Sequence, residues 1–120
     1  MLIKEDRDRI NFIDKNDCFV GFDWYAQCCE SFGYYVAIKV TEDESLGGES
    51  LDGFFFDTST EPVVIEHVTD NCVYADDEDA VVAFKCINDA GDVRFLHLYN
   101  HHNGYYSHGW GTSWGGSGSL

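Results

Sequence analysis

The chain has 120 residues, 44% of them hydrophobic and 16% aromatic, and 22 acidic against seven basic residues give it a formal charge of -15. That apolar content excludes a solvated acidic coil, and the charge disfavours direct binding of nucleic acid. One domain of ordinary size is expected, burying roughly 65% of the surface its unfolded form exposes.

The opening residues, Met1 to Arg9, place charges where a secretory signal needs an apolar stretch, and the longest apolar runs, Tyr34 to Ile38 and Ala80 to Phe84, are too short for a bilayer. A cytoplasmic protein that engages no membrane is therefore expected. Lys4, Arg7, Arg9 and Lys15 cancel Glu5, Asp6, Asp8 and Asp14, whereas from Asn16 onward only Lys39, Lys85 and Arg94 oppose 18 acids. The whole excess of negative charge lies in that second part.

In chain order, Leu2 to Ile13 reads as a helix with Ile3, Ile10 and Ile13 on one face, followed by a strand over Cys18 to Phe22 and a short helix around Tyr25 to Phe32. Strands are then expected over Tyr34 to Val40, Gly53 to Phe56, Val63 to Val68, Ala80 to Ile87 and Val93 to Tyr99. Pro62 stands just before its strand, since inside one it would delete a ladder hydrogen bond. The turn residues Asn88 to Asp92 connect the last two strands as an antiparallel hairpin. Two acidic runs, Glu42-Asp43-Glu44 and Asp76-Asp77-Glu78-Asp79, fall between apolar segments and so belong to surface connections. The fold class is mainly β or β-rich α+β, a single small domain over 1–114 with an antiparallel sheet and at most one or two short helices. Residues 115–120, rich in Gly and Ser, read as a flexible tail or an expression scar. Trp110 and Trp114, just before that tail, either fold back on a sheet or stay exposed as contact groups.

Five cysteines, Cys18, Cys28, Cys29, Cys72 and Cys86, make an odd number with no C-x-x-C pair, so reduced thiols are expected rather than a disulfide framework or a zinc ribbon. The vicinal pair Cys28 and Cys29 has the chemistry to bind a soft metal or to form a redox-sensitive disulfide, but Asp23 and Glu30 nearby favour the neutral thiol. His97, His101, His102 and His108 fall within twelve residues and could supply imidazoles to a metal, yet they match no established spacing, and in the alternating strand Arg94 to Tyr99 His97 shares a face with Tyr99. Cys28, Cys29, His101 and His102 are thus weak metal candidates, and no cofactor and no catalytic residue are expected.

The motif Gln27-Cys28-Cys29-Glu30, followed by a strand, and the late segment Leu98-Tyr99-Asn100 leading into Asn103-Gly104-Tyr105-Tyr106-Ser107 resemble the two ends of a family of short phage and bacterial domains of unknown function. The match spans about residues 18–108, rests on these two motifs alone, and lacks the Asp that precedes the cysteine pair in the family pattern. The resemblance implies an accessory gene of phage or mobile DNA, and with it a bacterial host, and supplies no activity. Together with the charge, it leads to the expectation of an acidic accessory protein that inhibits a host nucleic-acid-binding or defence protein, an anti-CRISPR or similar, by mimicking nucleic acid on its basic surface. The expected contact residues are Glu42, Asp43, Glu44, Asp76, Asp77, Glu78, Asp79, Tyr105, Tyr106 and Trp110. The alternatives are an interaction module whose charge serves solubility alone, and a metal-binding or hydrolytic protein built on the cysteines and histidines.

Overall fold

The computed structural model describes residues 1–24, 31–40, 48–66, 79–101 and 108–120. Among these residues lie ten strands: β1 (Leu2–Glu5), β2 (Arg9–Ile13), β3 (Phe19–Asp23), β4 (Ser31–Ala37), β5 (Phe55–Phe56), β6 (Val63–Glu66), β7 (Asp79–Ile87), β8 (Val93–His101), β9 (Gly109–Thr112) and β10 (Ser117–Ser119). They build two antiparallel sheets. The first has the order β1-β2-β3-β9-β10, and the second runs β4-β8-β7-β5 with β6 also paired to β7. The fold is all-β, with no helix among the described residues.

Period-two alternation makes these strands pack as they do. Ile10 and Phe12 of β2, Val20 and Phe22 of β3 and Trp110 of β9 meet Val36, Val82, Phe84, Cys86, Leu96 and Leu98 of the second sheet in one apolar core. The long hairpin of β7 and β8 pairs Asp79 with His101 through Ile87 with Val93, as its sequence predicts. In its turn the Asn88 side-chain oxygen accepts from the backbone N–H groups of Ala90 and Asp92, and Gly91 takes a positive φ of 88° that glycine adopts without steric cost. The other face of this sheet is packed as well, because Tyr35, Ala37 and Val81 form a second buried cluster with Tyr99 against it.

Three expectations are corrected. Leu2 to Ile13 is the β1-β2 hairpin, in which Ile10 and Phe12 point inward while Asn11 lies between them. Pairing of β2 with β1 on one edge and with β3, from Arg9↔Asp23 to Ile13↔Phe19, on the other gives its backbone groups partners on both sides, whereas an isolated short helix is marginal in water. Residues 115–120 are not a tail: β10 pairs with β9, His108 and Leu120 exchange backbone hydrogen bonds, and the Leu120 side chain is buried in the core. Asp79 belongs to strand β7 rather than to a connection. Most of the helix expected at Tyr25 to Phe32 lies outside the described residues, and its last two positions, Ser31 and Phe32, belong to β4.

Candidate functional site

The second sheet has an irregular edge, and the irregularity makes one wall of a cleft. Phe56 of β5 pairs with Cys86, and Val63 of β6 pairs with Ala83. The six residues 57–62 therefore face only Phe84 and Lys85 of β7, and most of them must leave the plane of the sheet. Asp57 organises this excursion, since its carboxylate accepts hydrogen bonds from the Ser59 hydroxyl at 2.5 Å, the Thr60 hydroxyl at 2.8 Å and the Ser59 backbone N–H at 3.1 Å. The Lys85 ammonium stands 3.6 Å away. These hydrogen bonds, led by that from Ser59, hold the Asp57 carboxyl down at about 2. Pro62 closes the excursion where β6 begins, as expected for a residue that cannot donate to the ladder.

The opposite wall is the β9-β10 hairpin. Gly116 donates to the Thr112 hydroxyl and Thr112 to the Gly116 carbonyl, both at 2.8 Å, while Gly115 has a φ of 117° that an L side chain would strain. Trp114, in this turn, lays its ring 5.2 Å from Phe56. Trp110 stands edge-on to Phe84 with ring centroids 5.3 Å apart and forms part of the floor. Between excursion and hairpin lies an open cleft of about 560 Å³, with Thr58, Ser59, Thr60 and Glu61 on one side and Gly115, Gly116 and Ser117 on the other.

Trp110, expected as a contact residue, is only 7% exposed, because the hydrophobic free energy of an indole favours burying it in the sandwich. It is also among the residues that line the cleft. The runs Glu42-Asp43-Glu44 and Asp76-Asp77-Glu78, together with Tyr105, Tyr106, Cys28, Cys29, Cys72 and His102, lie outside the described residues, and so do most residues of the two motifs that carry the family resemblance. Of the histidines, His97 is fully buried and stacked on Tyr35 at 4.4 Å and 8°, with Nε2 2.8 Å from the Val40 carbonyl oxygen and Nδ1 3.2 Å from that of Phe95. His108 packs on Phe22 and Phe32 with Nδ1 2.8 Å from the Asp23 carbonyl oxygen. The two rings belong to different packed layers, and no group of three or more metal-ligating side chains occurs among the described residues. Cys18 and Cys86 are thiols. Burial pushes the Cys86 thiol up to about 12, and burial followed by the Asp14 carboxylate raises that of Cys18, so neither is a ready nucleophile.

Charge is arranged as consequentially as shape. Arg9 pairs with Asp23 at 3.0 Å, Lys15 with Asp89 at 3.2 Å, Lys85 with Asp57 at 3.6 Å and Arg94 with Glu49 at 3.6 Å. Four of the seven basic side chains are thus matched to carboxylates of the same molecule. Nothing in the sequence names the excursion at 57–62 as a site wall, although Asp57-Thr58-Ser59-Thr60 followed by Pro62 has the composition of a side-chain-capped turn. No family model, curated protein or solved structure matches this chain. Among the described residues, no helix is long and apolar enough to cross a membrane.

Proposed function

We propose that this protein is an acidic interaction module that occupies the basic, nucleic-acid-binding surface of a partner protein in the bacterial cytoplasm, its carboxylates standing where phosphates would lie. The supporting observation is the charge of -15, carried by a chain in which four of the seven cations are already paired internally. Positive potential is cancelled close to its source, and the remaining acids dominate the field outside the molecule. The longest dimension is 39 Å, and duplex DNA of that length carries about 23 phosphates at one per about 1.7 Å. The charge densities are comparable in magnitude. Among the described residues, acids such as Asp52, Glu61 and Asp92 stand on the folded sheets and their turns, which spares the ordering entropy that a disordered acidic tail would spend on binding.

The fitting partner class is a protein whose channel is lined with Lys and Arg, such as a defence nuclease or CRISPR effector, and the resemblance to phage domains points the same way. Electrostatic attraction would speed the encounter and make it sensitive to salt. The test is capture of partners from a bacterial lysate at about 50 mM and about 500 mM salt, followed by elution with duplex DNA. Partners should bind at low salt, be lost at high salt and be released by DNA. Partners that stay bound at high salt and ignore DNA would contradict the reading.

A further inference from the structure

The cleft between the 57–62 excursion and the β9-β10 hairpin has a chemistry of its own. Ser59 and Thr60 each spend their single hydroxyl proton on Asp57, so toward a ligand these hydroxyls present only lone pairs. Glu61 lies beside them on the same wall, exposed, as a carboxylate that accepts and does not donate. Apart from the two indole N–H groups, the committed side-chain functions of the cleft are therefore acceptors. None of the residues lining it is basic. Its apolar surfaces are the indoles of Trp110 and Trp114 with Pro62 and Val64.

A ligand matched to this lining is cationic, rich in donors and flat enough to lie against an indole. An anion meets no countercharge there and approaches a molecule of charge -15. An ammonium is cationic but compact and strongly hydrated, whereas a guanidinium presents five N–H donors in one plane and stacks on aromatic faces. We infer that this cleft receives a guanidinium group, presented as an arginine side chain of the protein partner. The inference rests on the reading that the partner is basic and adds where one of its arginines is seated: edge toward Glu61 and the Ser59 and Thr60 oxygens, face toward the half-buried indole of Trp114.

The probes are the peptide acetyl-Gly-Arg-Gly-amide, its lysine counterpart and hexalysine, each added at low salt to the intact isotope-labelled protein while backbone amide resonances are followed. The arginine peptide should shift Thr58 to Glu61 and Gly115 to Ser117 selectively and bind at least about threefold more tightly than the lysine peptide. Glu61→Gln, a change at an exposed side chain, should weaken that binding by up to about fivefold while leaving the spectrum of the unbound protein otherwise unchanged. Trp114→Phe should reduce the preference for arginine over lysine. Equal shifts from both peptides, spread over the surface and indifferent to Glu61→Gln, would overturn the guanidinium site and leave the basic-partner reading standing. Absence of any shift from the arginine peptide would overturn the guanidinium site likewise, and if hexalysine produced no shifts either, the basic-partner reading would fall with it.

Discussion

Asp14 shows how one side chain fixes the relation between the two sheets. Its buried carboxylate accepts from the backbone N–H groups of Asn16 at 2.8 Å and Cys18 at 2.9 Å through Oδ1, and from that of Phe56 at 2.8 Å through Oδ2. The β2-β3 turn is thereby tied to β5 across the sandwich. An amide at this position keeps one acceptor oxygen but turns a donor toward one of those N–H groups, so Asp14→Asn should cost about 2 kcal/mol of stability, read as a lower urea midpoint. Asp57 gives the pH dependence. Its folded-state value of about 2 lies below the ordinary carboxyl value of about 3.9, so the folded protein binds this proton less tightly than the unfolded chain does. The resulting stabilisation is complete above about pH 4 and is lost as the pH falls through about 2. Asp57→Asn should lower stability at neutral pH and flatten the stability-against-pH curve within that acid window, measured by denaturant titration at successive pH values.

At the scale of the element, the sequence is most legible where two conditions meet: strict alternation over many residues and a turn of unambiguous chemistry. The β7-β8 hairpin has both, with Val81 to Cys86 alternating between the two packed faces and Asn88 to Asp92 closing the turn. The first hairpin lacks the first condition, because Ile3, Ile10 and Ile13 also fit a helical face, and only pairing with β3 decides between the two periods. The end of the chain misleads for a different reason. Composition registers glycine as freedom, whereas Gly118 is needed for closeness: a Cβ there would lie 2.9 Å from Cζ2 of Trp110, whose ring is held against Phe84. The cleft inherits this illegibility, since its walls become neighbours only through the folding of β9 and β10 onto β3 and the looping of 57–62 out of the second sheet. Gly118→Ala should therefore destabilise the protein by about 1–3 kcal/mol through overpacking, visible as a lower midpoint of thermal unfolding. A flexible tail would register no change.

For the whole molecule, the central question is whether negative charge is a contact surface or only a solubilising coat. Self-repulsion among unpaired acids opposes the compact state, so removing charge should not weaken the fold, whereas a phosphate mimic needs those same charges to hold its partner. Stability and affinity should then move independently. The most direct measurement replaces Asp76, Asp77, Glu78 and Asp79 together by their amides and determines both the thermal midpoint and the affinity for the captured partner at low and high salt. The account predicts a midpoint unchanged or slightly raised, an affinity reduced by at least about tenfold at low salt, and a shallower dependence on salt. Full affinity with an unaltered salt dependence would contradict it.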